Sequence, residues 1–149
     1  MLKVGDRIPK FHVTDQDGNI VTTDDVLKLN KPVVIYFYPK DNTPGCTAQA
    51  CSIRDSYHSF LAKDYAVYGV SKDSEASHRR FKEKFDLPFP LLSDPSTSML
   101  QAFGAWGEKK MYGKVSQGTL RKTFIFNQDG ILERIIDKVD TKNHAEQIL

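Results

Sequence analysis

Apolar and polar positions change period several times along the chain, and each change marks an element. "FHVTDQDGNIV" (11–21) alternates on either side of Asp17-Gly18, the signature of an N-terminal β-hairpin. "PVVIYFYP" (32–39) is a continuous β-branched and aromatic run, as expected of a central strand covered on both faces. Helical spacing follows through about Lys63, and "YAVYGVS" (65–71) is a second strand. Strand, helix, strand predicts a crossover between parallel strands. "SEASHRRFKEKFD" (74–86) is an amphipathic helix with Ser74 as its cap, and "DPSTSMLQAFG" (94–104) a short helix ending at Gly104. "RKTFIFNQDGILERIID" (121–137) forms an antiparallel hairpin around Asp129-Gly130, and "TKNHAEQIL" (141–149) closes as a helix. The sum is α/β: a mixed central sheet flanked by helices, with an N-terminal hairpin, in a thioredoxin-like arrangement.

Composition narrows the function classes. A chain of 149 residues is expected to be a single domain, residues 1–149. Its formal net charge is +2, and basic and acidic residues are interleaved rather than segregated, which argues against a nucleic-acid partner. No apolar run approaches ~18 residues, so no membrane span is expected, and the N-terminal stretch lacks the apolar core of a signal peptide. The expected compartment is the cytoplasm. Two cysteines cannot staple a chain of this size, so a close pair points to catalysis or metal binding.

Both cysteines fall in "DNTPGCTAQAC". Thr43 is a favoured N-cap and Pro44 suits the first helical position, which puts Cys46 in the first turn. The apolar stripe of this helix runs Cys46, Ala50, Ile53, Tyr57, Phe60. Cys46 therefore begins the core-facing stripe, where unpaired N–H groups and the positive end of the helix dipole meet. Where a strand passes to a helix at the strand's carboxyl end, open α/β sheets keep their ligands. The alternative is a small apolar filler at an ordinary helix start.

Cys51 lies about 140° round the helix from Cys46, on the flank of Thr47, Arg54 and His58. An ideal helix separates such Cα atoms by about 8.7 Å, whereas a disulfide wants them within ~6.8 Å. The pair can bond only if the helix unwinds. Zinc is a weak reading: Cys46, Cys51, His58 and His78 could be assembled only by ignoring helical geometry, and both histidines are expected on solvated helix faces.

"YFYPKDNTPGCTAQAC" resembles the active-site segment of the peroxiredoxins: Pro39, then Thr43, then Cys46. The second cysteine five residues on is similar to the PrxQ class, also called bacterioferritin comigratory proteins. "GVSKDSEASHRRFKEKFDLPFPLLSD" and "GTLRKTFIFNQDGILERIIDKV" extend the resemblance over nearly the whole chain. It implies a thioredoxin fold, Cys46 as the peroxidatic and Cys51 as the resolving cysteine. Thr43 would hydrogen-bond the peroxide, Pro39 would shield the pocket and Arg121 would sit beside the sulfur. Gln49 stands where many members carry Glu, and its amide would orient Arg121 without neutralising it. The resemblance also implies peroxide substrates, thioredoxin or a similar dithiol as reductant, a monomer, and no metal or organic cofactor.

Thiol ionisation contributes little to such chemistry. Lowering a cysteine pKa from ~8.5 to ~6 raises its thiolate fraction about 30-fold at neutral pH, while reduced nucleophilicity removes about 10-fold. The larger effect must come from donors aimed at the breaking O–O bond, with Thr43 hydroxyl, the first-turn N–H groups and Arg121 as candidates. Thr43 is expected both to accept from the Cys46 N–H and to donate to the substrate. Two rivals remain. A disulfide oxidoreductase would carry Cys-x-x-Cys, and a binding module would carry inert cysteines.

Overall fold

A computed structural model describes residues 2–149. Strands β1 (His12–Asp15) and β2 (Ile20–Thr22) form the expected hairpin, turning through Gly18 at φ 81°. A short helix absent from the sequence reading follows, α1 (Thr23–Leu27), capped by reciprocal hydrogen bonds between Thr22 and Asp25. Strand β3 (Val33–Phe37) is buried along its whole length, which is why it reads as an unbroken apolar run. The predicted helix is two: α2 (Pro44–Asp55) and α3 (Tyr57–Ala62), divided at Ser56. Strand β4 (Ala66–Ser71) pairs parallel with β3. Helix α4 (Glu75–Lys84) starts where Ser74 Oγ accepts from the Ser77 N–H at 3.2 Å, as its sequence signalled.

The second half adds β5 (Leu91–Ser93), α5 (Ser98–Ala102), the hairpin β6 (Trp106–Met111) and β7 (Lys114–Thr119), then β8 (Lys122–Phe126), β9 (Leu132–Ile136) and α6 (His144–Ile148). Seven strands form one mixed sheet in the order β2-β1-β5-β4-β3-β8-β9, and β6-β7 stands apart as a two-stranded sheet. Strands β3, β4 and β5 run parallel, while β8 returns antiparallel to β3.

Alternation along β3 divides the core into two layers. Val33, Ile35 and Phe37 face α1 and α5, packing with Val26, Leu100, Phe103 and Phe124. Val34 and Tyr36, with Tyr38 just beyond the strand, face the other helices and pack with Cys46, Ala50, Ile53, Phe60, Phe81 and Ala145. Cys46 is thus a member of the second layer, at the carboxyl end of the central strand.

One pairing decides where the site lies. Phe37 at the end of β3 sits opposite Lys122 at the start of β8. Antiparallel register therefore delivers Arg121 to the edge where α2 begins, 75 residues after Cys46.

Candidate active site

Helix α2 opens as its residues dictate. Thr43 is the N-cap in extended conformation and Pro44 occupies the first helical position. The first helical bond is from the Thr47 N–H to the Thr43 carbonyl, at 2.8 Å. The expected side-chain cap does not form. Thr43 Oγ1 donates instead to the Lys40 carbonyl at 2.8 Å, folding the hydroxyl back on its own loop. The Gly45 and Cys46 N–H groups are thus left without an acceptor from the cap, as first-turn donors are when no side chain satisfies them.

Cys46 is buried and reduced, with Sγ 3.4 Å from Arg121 Nη2. Arg121 Nη1 donates to Gln49 Oε1 at 2.7 Å. Gln49, one turn beyond Cys46 on the same helix, is fully buried, and its Nε2 has no partner among the described residues. The amide orients the guanidinium and leaves its charge whole, as expected of Gln at this position. Gly45 lies directly against Arg121: a Cβ there would sit at ordinary contact distance, 3.4 Å from Nη2.

Pro39, Thr43, Cys46 and Arg121 line one open cavity of about 730 Å³. Lys40, Gly45, Lys109, Leu120, Lys122 and Asp137 complete it. Its mouth is basic: Asp137 lies 3.4 Å from Lys122 and is the one carboxylate in the lining. Burial, reinforced by the nearby Arg121 charge, pushes Lys109 below the ordinary lysine range. Lys109 was not foreseen from sequence, because it arrives on β6, in a polar segment without clear alternation.

Cys51 does not line this cavity. It is half-buried and free, one and a half turns along an intact α2. Burial pushes its thiol up, with Arg54 opposing. The structure keeps the two sulfurs on one continuous helix, the geometry that forbids a disulfide without unwinding.

The two helical histidines part company. His58 is exposed, as expected, whereas His78 is fully buried. His78 Nε2 donates to the Leu92 carbonyl at 2.9 Å, and Nδ1 lies 2.7 Å from Asp41 Oδ2. Asp41 also accepts from Tyr38 Oη at 2.6 Å and Ser77 Oγ at 2.8 Å, while its N–H donates to Asp73 Oδ2 at 2.9 Å. Asp41 follows Pro39 by two residues, so this cluster ties the loop carrying Pro39 and Thr43 to α4 and β5. Nothing in the sequence pairs Asp41 with a residue 37 positions away. The zinc assembly fails on the same observation, because His78 is engaged here while Cys46 faces Arg121.

The chain matches the AhpC/TSA family over residues 4–135. It is 42% identical to peroxiredoxin Bcp of Escherichia coli K12 over 148 residues, covering 99% of this chain and 94% of that one. With peroxiredoxin Bcp of Bacillus subtilis it is 40% identical over 148 residues, covering 99% and 93%. Among solved structures, a Xylella fastidiosa PrxQ Cys-to-Ser mutant superposes with a TM-score of 0.90 at 30% identity, over 99% of this chain and 93% of that one. The Xanthomonas campestris bacterioferritin comigratory protein, studied for alkyl peroxide reduction, gives 0.86 at 33% identity, over 93% and 87%. Both the thioredoxin-like sheet and the family resemblance are borne out: the chain belongs to the AhpC/TSA family and, within it, to the Bcp/PrxQ peroxiredoxins, which are thiol-dependent peroxidases.

Proposed function

We propose that Cys46 is the peroxidatic cysteine and Cys51 the resolving one, in a cycle that reduces hydrogen peroxide and organic hydroperoxides. The Cys46 thiolate attacks one peroxide oxygen, the O–O bond breaks, and the leaving hydroxide or alkoxide takes up a proton. Cys46 is then a sulfenic acid. The Cys51 sulfur displaces its hydroxyl as water, forming an intramolecular disulfide. A dithiol such as thioredoxin supplies two electrons and two protons to restore both thiols.

One observation carries the assignment: Arg121 reaches Cys46 from a strand 75 residues away, with Nη2 at 3.4 Å from the sulfur. An arginine so placed can follow negative charge from the thiolate to the breaking O–O bond. The first-turn Gly45 and Cys46 N–H groups, which Thr43 does not cap, add donors at the same helix start. Thr43 contributes to the peroxide once its hydroxyl turns from the Lys40 carbonyl, and Pro39 covers the cavity's edge. Losing one such preorganised donor typically costs about 10²–10³ in rate, more than the few-fold available from ionisation. Arg121→Met should therefore slow sulfenic acid formation about 100-fold or more in stopped flow. A rate that merely tracks the thiolate fraction would remove Arg121 from the mechanism.

Both sulfurs lie on one chain, so the cycle needs no second copy and suits a monomer, and residues 1–149 act as one domain whose two core layers share one sheet. A cysteine pair that a dithiol must restore in each cycle suits a reducing compartment, which supports the cytoplasm as the working location. No helix among the described residues is long and apolar enough to cross a membrane.

The test is peroxide consumption with a thioredoxin system for native protein, Cys46→Ser and Cys51→Ser, with intact mass after one equivalent of peroxide. Native protein should lose two hydrogens' mass, Cys51→Ser should gain one oxygen, and Cys46→Ser should do neither. A Cys46→Ser variant that still consumes peroxide would overturn the assignment.

A further inference from the structure

The β6-β7 hairpin is an arm outside the main sheet, and its tip is built against local preference. Strands Trp106–Met111 and Lys114–Thr119 are joined by the two-residue turn Tyr112-Gly113, with φ of 53° and 78°. Such a turn needs positive φ at both positions, which Asn and Gly adopt most readily and a bulky tyrosine resists. Burial does not offset this, because Tyr112 is 97% exposed. Strain retained where it adds nothing to the core points to function.

The arm is also basic and adjoins the reacting sulfur. It carries Lys109, Lys110 and Lys114 against Glu108, and none of the three lysines forms an ion pair among the described residues. Lys109 lines the cavity that holds Cys46. Lys109 pairs across the hairpin with Ser116, so Lys114, two residues from Ser116, shares its face. A body covering the mouth of the Cys46 cavity therefore meets Lys109 and Lys114 and comes under Tyr112.

We propose that this arm is the docking surface for the dithiol reductant, a protein whose redox face is acidic and offers an apolar seat for Tyr112. The proposal rests on the Cys46–Cys51 disulfide of the preceding reading, since that bond is what the reductant must reach. It accepts two electrons and two protons there, while the partner's dithiol becomes a disulfide. Transient redox encounters bury little surface and rely on electrostatic steering, which suits a short basic arm. A second copy of this chain fits poorly, since apposed arms would set lysine against lysine.

The test uses the full-length protein with Tyr112→Ser and Lys114→Glu combined, both residues outside the cavity lining. Thioredoxin with an acidic redox face and dithiothreitol serve as alternative reductants. The variant should show a KM for thioredoxin raised about tenfold with little change in kcat. Its kcat/KM should lose most of the decline with added salt that the native protein shows. Sulfenic acid formation and dithiothreitol-driven turnover should match the native protein, which also reports that the variant is folded. An unchanged KM for thioredoxin overturns the proposal. So does an unchanged KM accompanied by lost binding to anionic phospholipid vesicles, which would assign the arm to a lipid surface. Native protein that dithiothreitol cannot turn over would overturn the disulfide reading beneath it.

Discussion

The loop leading into α2 and the C-terminal half of that helix are held by very different amounts of buried chemistry. Before Cys46, Asp41 alone accepts from Tyr38 and Ser77, meets His78 Nδ1 and donates its N–H to Asp73, while His78 reaches on to Leu92. Past Cys51, the corresponding ties are two hydrogen bonds, from the Ala145 N–H of α6 to Ser52 Oγ at 3.0 Å and from Arg54 Nη1 to the Phe85 carbonyl at 2.8 Å, plus the packing of Ile53. Helix α6 is itself five residues long and rests on His144, whose Nε2 meets Thr123 Oγ1 and whose Nδ1 meets Gln147 Oε1, each at 2.7 Å. The contrast teaches where the helix should open. In the proposed cycle, Pro39 and Thr43 should stay put while residues after Cys46 unwind, because the second region is held by fewer buried hydrogen bonds.

Three perturbations test that division, in descending size. Asp41→Ala would remove the acceptor of the Tyr38 Oη and Ser77 Oγ hydrogen bonds and the partner of His78 Nδ1, and a buried polar group left unsatisfied costs about 1–3 kcal/mol. We expect a loss of about 1–3 kcal/mol in urea unfolding, with sulfenic acid formation slowed because the Pro39–Thr43 loop is loosened. A loss under 1 kcal/mol would show that the loop is not held there.

Acidification probes the other side. Burial holds His144 below the ordinary histidine value of 6.5, with the Gln147 hydrogen bond opposing. A histidine depressed in the folded state binds more protons when unfolded. Its contribution is therefore complete above pH 6.5 and falls as pH drops through the window below it. The Tm should decline over that range, and His144→Asn should remove part of the slope; an identical slope in the variant would acquit His144.

Ser52→Ala is the mildest change, removing a bond worth about 0.5–1.5 kcal/mol. It should hasten disulfide formation a few-fold, read as Trp106 fluorescence after one equivalent of peroxide, and leave the peroxide step alone. Slower resolution would mean that α6 assists unwinding instead of resisting it.

How legible this was depended on range along the chain. Cys46 at the head of an apolar stripe, the buried run of β3 and the Ser74 cap were readable because period and capping are local signals. Strand β5 was missed because three residues make no pattern, and β6-β7 because "WGEKKMYGKVSQGT" alternates too weakly to stand out. His78 was misjudged for a related reason: a histidine among charged helix neighbours reads as solvated until Asp41 arrives from 37 residues away. Arg121 was placed by resemblance, whereas the physical cause is the Phe37–Lys122 register. Thr43 stood at the cap as its type predicts, yet its hydroxyl chose Lys40, a competition between acceptors that composition does not rank.

The break at Ser56 sets the scale of the redox cycle. Its N–H closes α2 on the Ile53 carbonyl, and its own carbonyl receives the Ser59 and Phe60 N–H groups that start α3. Ser56 thus works as a firebreak: strands of helix on either side owe each other no hydrogen bonds across it. In the proposed cycle, unwinding of α2 beyond Cys46 can therefore stop at Ser56 while Phe60 stays seated in the core, and the remaining architecture serves as a fixed chassis.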